Sequence, residues 1–81
     1  MGYTMEQLFD DLRGNGKCVV AAELWYRKLL KATGNYTADK YYHMLTGFVA
    51  ALEVAGIIDA VEEGSLRDCL MDIRFGEEGE K

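Results

Sequence analysis

Three pairs of carboxylates are the residues of this sequence that come nearest to acid–base chemistry: Asp10 with Asp11, Glu62 with Glu63, and Asp68 with Asp72. General acid–base catalysis needs a carboxyl group whose pKa is moved toward neutral pH, by burial or by a neighbouring carboxylate. The helical pattern described below places all three pairs on faces that point to solvent. We therefore expect no catalytic residue and predict that the protein is not an enzyme.

Nucleophiles and metal ligands are equally sparse. Cys18 and Cys69 stand too far apart for a zinc or redox motif, and His43 is the only histidine. The segment Gly14–Lys17 lacks the remainder of a phosphate-binding loop. We expect no metal and no cofactor, and we interpret both cysteines as free, buried thiols.

The chain carries no pattern typical of secretion or membrane insertion. Its first residues contain no basic segment that leads into an apolar one, and no apolar run approaches the roughly 18 residues of a membrane span. We therefore expect a cytoplasmic protein.

Charge is distributed unevenly over the 81 residues, whose net charge is −5. Residues 1–40 contain six basic and five acidic side chains, a net charge of +1, whereas residues 41–81 contain three basic and nine acidic ones, a net charge of −6. Such asymmetry suggests a polar partner for one half, although acidic charge also simply keeps a small protein soluble.

Glycines divide the chain into four amphipathic segments, since proline is absent. Apolar residues at helical spacing predict helices over about 5–13, 18–33, 38–55 and 60–73. Thr4 with Gln7 forms a capping-box pattern at one helix start. Asp59 offers a capping carboxylate at another, with Glu62 at the third helical position, and Tyr36–Thr37 suggests a further start.

Helix ends are predicted mainly from glycine. Gly34 and Gly56 are expected to end helices 2 and 3, Gly34 in the left-handed conformation. Gly64–Ser65 is a predicted interruption of helix 4. Residues 1–74 then form one domain and residues 75–81 a frayed acidic tail.

These elements predict an all-α fold, a compact bundle of four helices with helix 3 at its centre. Helix 3 has the widest apolar side, so it should contact several neighbours. The residues expected to be most buried are Trp25, Leu29, Leu45, Phe48 and Leu52.

Two surfaces of this bundle are candidates for binding a partner. On helix 2, apolar and basic residues share an outward face: Val20, Leu24, Arg27 and Lys31. Apolar residues rimmed by charge are typical of protein interfaces, although the long basic side chains could also just cover them. The acidic half offers Glu62, Glu63, Asp68 and Asp72.

A second, weaker stripe on helix 3 contains His43, Gly47, Ala50 and Val54. Its small residues would let another helix approach closely. We expect helix 1 or helix 4 to cover this stripe within the monomer, and the rival interpretation is the seam of a homodimer.

The preferred functional prediction is a small acidic module that regulates or inhibits a partner protein by binding it. An acidic helical domain can mimic phosphate charge and block a basic nucleic-acid-binding surface, as an anti-defence inhibitor of a mobile element would. The alternative is a helix-turn-helix regulator that binds nucleic acid through helices 2 and 3. Tyr36, Tyr41 and Tyr42 beside Lys40 would suit that alternative, whereas the net charge opposes direct nucleic-acid binding.

Overall fold

Four α-helices make up the fold in the computed structural model, which describes residues 2–13 and 16–76. They are α1 (Met5–Asp11), α2 (Lys17–Lys31), α3 (Asn35–Val54) and α4 (Ala60–Phe75). The described part of the chain contains no strand, so the predicted all-α class is confirmed. No helix in that part is long and apolar enough to span a membrane. Residues 77–81 of the predicted tail lie outside the described residues.

The predicted capping box of α1 is present, and the predicted Asp59 cap of α4 is a capping box as well. The Thr4 hydroxyl accepts from the Gln7 amide at 3.2 Å, and the Gln7 side chain accepts from the Thr4 amide at 2.9 Å. Asp59 and Glu62 make the same reciprocal pair at 2.7 and 2.9 Å. Each box satisfies backbone donors that the first helical turn leaves unpaired, which fixes the starts of α1 and α4.

The junction between α2 and α3 differs from the prediction. α2 ends at Lys31 and α3 already begins at Asn35, with Gly34 as its N-cap and no side-chain cap. The φ of Gly34 is −123°, an extended conformation, so the expected left-handed cap is wrong. Gly34 is a favourable N-cap residue, and its carbonyl accepts from the Ala38 amide at 3.0 Å, so the helix begins one turn before the predicted start while Asn35, Tyr36 and Thr37 stay exposed.

α4 is continuous through Gly64 and Ser65, where an interruption was predicted. The Ser65 hydroxyl instead accepts a 2.9 Å hydrogen bond from the Tyr3 amide, so the N-terminal segment lies across this part of α4. α4 also runs on to Phe75, whose ring packs edge-on against Tyr42 at 5.8 Å. Gly56 has a φ of 80° and ends α3 as expected, since this conformation is unfavourable for other residues.

α3 is the central helix, because it has the most extensive contacts with both α2 and α4. α1 lies across the bundle and adds aromatic contacts to two helices. The Phe9 ring is 5.6 Å from Tyr26 of α2 and 6.5 Å from Phe48 of α3, measured between centroids. The core consists of twelve buried side chains: Met5, Leu8, Phe9, Ala22, Tyr26, Leu29, Leu45, Val49, Leu52, Ile58, Leu66 and Leu70.

The predicted core residues are confirmed in part. Leu29, Leu45 and Leu52 are buried, whereas Trp25 and Phe48 are only half-buried at the margin of the core. Tryptophan is rarely buried completely because of its size, and the Phe48 ring packs on the core from its edge, 6.5 Å from the buried Phe9 ring. Cys18 was expected to be buried but is exposed in the first turn of α2, and Cys69 is half-buried.

Candidate interaction surfaces

An acidic groove of about 580 Å³ lies where α1, α2 and α4 meet the N-terminal segment. Its carboxylates are Glu6, Asp68 and Asp72, and its aliphatic side chains are Leu30 and Ile73. Neither lysine nor arginine lines it. We call this surface the acidic groove. Leu30 is 53% exposed, so an apolar contact and negative charge are available together to a partner.

The four predicted acidic residues separate into two pairs. Asp68 and Asp72 are exposed, line the acidic groove and form no ion pair with another described residue. Glu62 is engaged in the capping box, and Glu63 binds the guanidinium of Arg67 at 2.6 Å. Glu62 and Glu63 therefore act mainly on the stability of α4, and neither lines the groove.

Glu6 is a groove residue that the sequence patterns did not single out. Its carboxylate accepts a 2.6 Å hydrogen bond from the Tyr26 hydroxyl, which comes from another helix. Burial and this neighbouring carboxylate raise the pKa of Tyr26 well above its usual range. The position of Glu6 on the solvent side of α1 was apparent from the sequence, but the proximity of Glu6 to α4 depends on how α1 docks.

A second groove, of about 390 Å³, follows the outer seam between α2 and α3. We call it the basic groove. It is lined by Leu24, Arg27, Lys28, Lys31, Ala32, Thr33, Thr37 and Tyr41. The Lys40 ammonium stands 5.4 Å from the centroid of the Tyr41 ring, so a fourth cation borders the same surface.

The predicted outward face of α2 is only partly one surface. Leu24, Arg27 and Lys31 share the basic groove, whereas Val20 lies in another depression with Phe9 and Lys17. Val20 is 68% exposed and is not covered by the stems of the basic side chains. All four side chains are nevertheless exposed at helical spacing on one side of α2, and the two depressions divide that side between them.

The predicted stripe on α3 is exposed along its whole length. His43, Gly47 and Ala50 face solvent, and Val54 is 84% exposed. A Cβ at Gly47 would have no atom of the described fold within 4 Å apart from its own helix backbone. The expectation that α1 or α4 covers the stripe is therefore wrong, since α4 packs on a different side of α3.

The exposed side of α3 also bears on the helix-turn-helix alternative. Tyr36 and Lys40 are exposed near its N-terminus, followed by His43 and the small residues of the stripe. Asp39 is bound to Arg74, and Tyr42 packs against His43 and Phe75. This side of α3 thus has one lysine, whereas duplex recognition needs several cations on the docking helix. The cations of this region lie in the basic groove instead.

Further polar and reactive side chains line the acidic groove beside its carboxylates: Tyr3, Ser65 and Cys69. Within residues 2–13 and 16–76, no three His, Cys, Asp or Glu side chains are placed to hold a metal ion. Burial raises the pKa of the Cys69 thiol, which keeps it protonated at neutral pH. The Tyr3 hydroxyl donates to Asp11, and burial together with this carboxylate raises the pKa of Tyr3.

Comparison with known proteins adds no functional information. No family model, curated protein or solved structure matches this chain. The two grooves are therefore the surfaces on which its proposed function rests.

Proposed function

We propose that this protein is a non-catalytic interaction module that binds a partner protein through the acidic groove. The observation that supports this most directly is the combination of three carboxylates with the exposed Leu30 side chain in one groove that neither lysine nor arginine lines. A complementary partner segment presents lysine or arginine beside leucine-type residues.

A partner of this kind is typical of nucleic-acid-binding proteins, whose docking surfaces are basic. By occupying such a surface the module would exclude the phosphate backbone, because two negative surfaces cannot share one basic site. The proposed activity is therefore regulation or inhibition by competition. It requires no chemistry of the module, only charge and shape.

The proposal is tested by reversing the charge of Asp68 and Asp72, the two groove carboxylates that form no ion pair with another described residue. Asp68→Lys with Asp72→Lys should remove binding while the helix content stays unchanged. Reversing Glu62 and Glu63 as well would confuse the result, because it breaks a capping box and an ion pair within α4. The matched control is Asp10→Lys with Glu53→Lys, which makes the same change of net charge outside the groove. Glu53 forms no ion pair with a described residue, and Asp10 gives up only the exposed pair with Arg13.

A short helical peptide of lysine and leucine serves as the probe, and its glutamate–leucine counterpart serves as the charge control. We expect the basic peptide to shift backbone amide resonances around Asp68 and Asp72 in a two-dimensional NMR titration. The groove variant should lower its affinity by about tenfold or more, since each attraction becomes a repulsion. Equal losses in the groove variant and the control variant would refute the proposed site.

A further inference from the structure

Three of the four described lysines lie at the basic groove, and the fourth, Lys17, lies in another depression. Each described arginine forms an ion pair: Arg13, Arg27, Arg67 and Arg74. Lys28, Lys31 and Lys40 have no carboxylate within ion-pair distance among the described residues. Two of them line the groove and the third borders it through Tyr41.

This concentration is unexpected in a chain whose net charge is −5, because acidic side chains outnumber basic ones by 14 to 9. Carboxylates were available to neutralise the lysines, and none lines the groove. Lysines near the C-terminal end of α2 interact favourably with the helix dipole, which explains the positions of Lys28 and Lys31. It does not explain Lys40, which lies in the N-terminal part of α3. The groove is thus a site of positive potential open to an anion.

The uncharged side chains of the basic groove indicate which class of anion it binds. Thr33 and Thr37 bring hydroxyl donors to the groove, and the half-buried Tyr41 ring with Leu24 forms an apolar wall. Tyr36, which directly precedes Thr37, is 83% exposed and offers an accessible ring. Cations that follow a groove, together with aromatic rings beside it, are the pattern by which proteins bind single-stranded nucleic acid.

We propose that the basic groove binds a short stretch of single-stranded nucleic acid. Lys28, Lys31 and Lys40 contact the phosphates, and bases stack on Tyr36 and against the wall formed by Tyr41. A duplex is disfavoured because the outward side of α3 has only Lys40 as a cation and continues into the stripe of small residues. This site is separate from the acidic groove, and the two share no lining residue.

Binding should be weak and strongly dependent on salt, because the net charge of the protein repels the polyanion. Each phosphate contact with a single strand contributes about −0.7 to the slope of log K against log salt concentration. Three contacts predict a slope of about −2. The probes are fluorescent oligothymidylate and oligouridylate, measured by anisotropy, with a glutamate-rich peptide of equal charge as the comparison.

Charge reversal within the groove tests the phosphate contacts. Lys28→Glu with Lys31→Glu should lower oligonucleotide affinity by about tenfold or more at low salt. The matched control, Arg13→Glu with Lys17→Glu, changes the net charge equally at exposed residues outside the groove and should have a much smaller effect. Circular dichroism checks that both variants keep their helices. Equal losses of oligonucleotide affinity in the two variants would show that the protein attracts the oligonucleotide by its overall charge and not at the groove, and would overturn the proposal.

Tyr36→Leu separates nucleic acid from any other polyanion. It should lower oligonucleotide affinity by at least about fivefold, since stacking on an aromatic ring is lost, and leave the weak binding of the glutamate-rich peptide unchanged. No binding of either oligonucleotide to the parent protein, or equally tight binding of the glutamate-rich peptide, would overturn the proposal. These outcomes leave the acidic-groove proposal untouched, because its probe is a basic peptide.

Discussion

The Tyr26 hydroxyl donates a 2.6 Å hydrogen bond to the Glu6 carboxylate and so ties α2 to α1 at one wall of the acidic groove. Tyr26 itself is buried beneath this bond, with its ring against Phe9. The same contact therefore serves the core on one side and fixes a groove carboxylate on the other. Asp68 and Asp72 have no such structural partner and are the better probes of binding.

Removing the hydroxyl should weaken the fold without disturbing the ring packing. Tyr26→Phe is expected to lower the free energy of unfolding by about 1 kcal/mol, the usual net value for a hydrogen bond with a solvent-accessible acceptor. Urea denaturation followed by circular dichroism measures the change. Tyr36→Phe is the control, because Tyr36 is exposed, and it should change stability by less than about 0.5 kcal/mol.

Acid stability should depend on the ion pair between Asp39 and Arg74. The hydrogen bond from Arg74 lowers the pKa of Asp39 in the folded state, so the pair stabilises the protein above the unfolded pKa of aspartate. That contribution is lost as the pH falls through the folded pKa. The melting temperature of Asp39→Asn should therefore fall less than that of the parent when the pH is lowered from about 6 to about 3. Asp68→Asn, which breaks no ion pair, should follow the parent's pH dependence.

A large loss of stability is expected from truncation of Leu45. Its side chain is fully buried on the central helix, so Leu45→Ala should cost about 2–5 kcal/mol. Phe48→Ala should cost less, because Phe48 is half-buried at the core margin. Thermal melts of the two variants decide the order, and a greater loss at Phe48 would contradict the assignment of the core.

Ala50→Arg should give a folded protein, because the arginine side chain would extend from the exposed side of α3 into solvent. Its free energy of unfolding should stay within about 0.5 kcal/mol of the parent. Light scattering of the same samples tests the homodimer hypothesis. A seam along His43, Gly47, Ala50 and Val54 predicts twice the monomer mass for the parent and the monomer mass for the variant. Monomers in both samples would exclude that seam.

The two cysteines should differ in their rate of reaction with a thiol reagent. Cys18 is exposed, whereas Cys69 is half-buried and burial raises its pKa, which lowers the thiolate fraction that reacts. A time course with a chromogenic disulfide should therefore show a fast and a slow phase. Cys18→Ala should remove the fast phase, and Cys69→Ala should remove the slow one.

The sequence alone determined the helical class, the approximate extent of the helices and the starts of α1 and α4. These features follow from local chemistry: apolar periodicity marks the buried sides, and reciprocal side-chain bonds of Thr4 with Gln7 and of Asp59 with Glu62 mark the starts. Gly56 ended α3 for a similarly local reason, since its positive φ suits glycine.

Only the tertiary structure decided which residues meet across helices. The ion pair of Asp39 with Arg74 joins α3 to the end of α4, a contact that no local signal contains. The exposure of Cys18 and of the α3 stripe depends on where the neighbouring helices dock. Glu6 joins Asp68 and Asp72 in one groove for the same reason, because periodicity shows which side of a helix is polar but cannot show which polar sides converge.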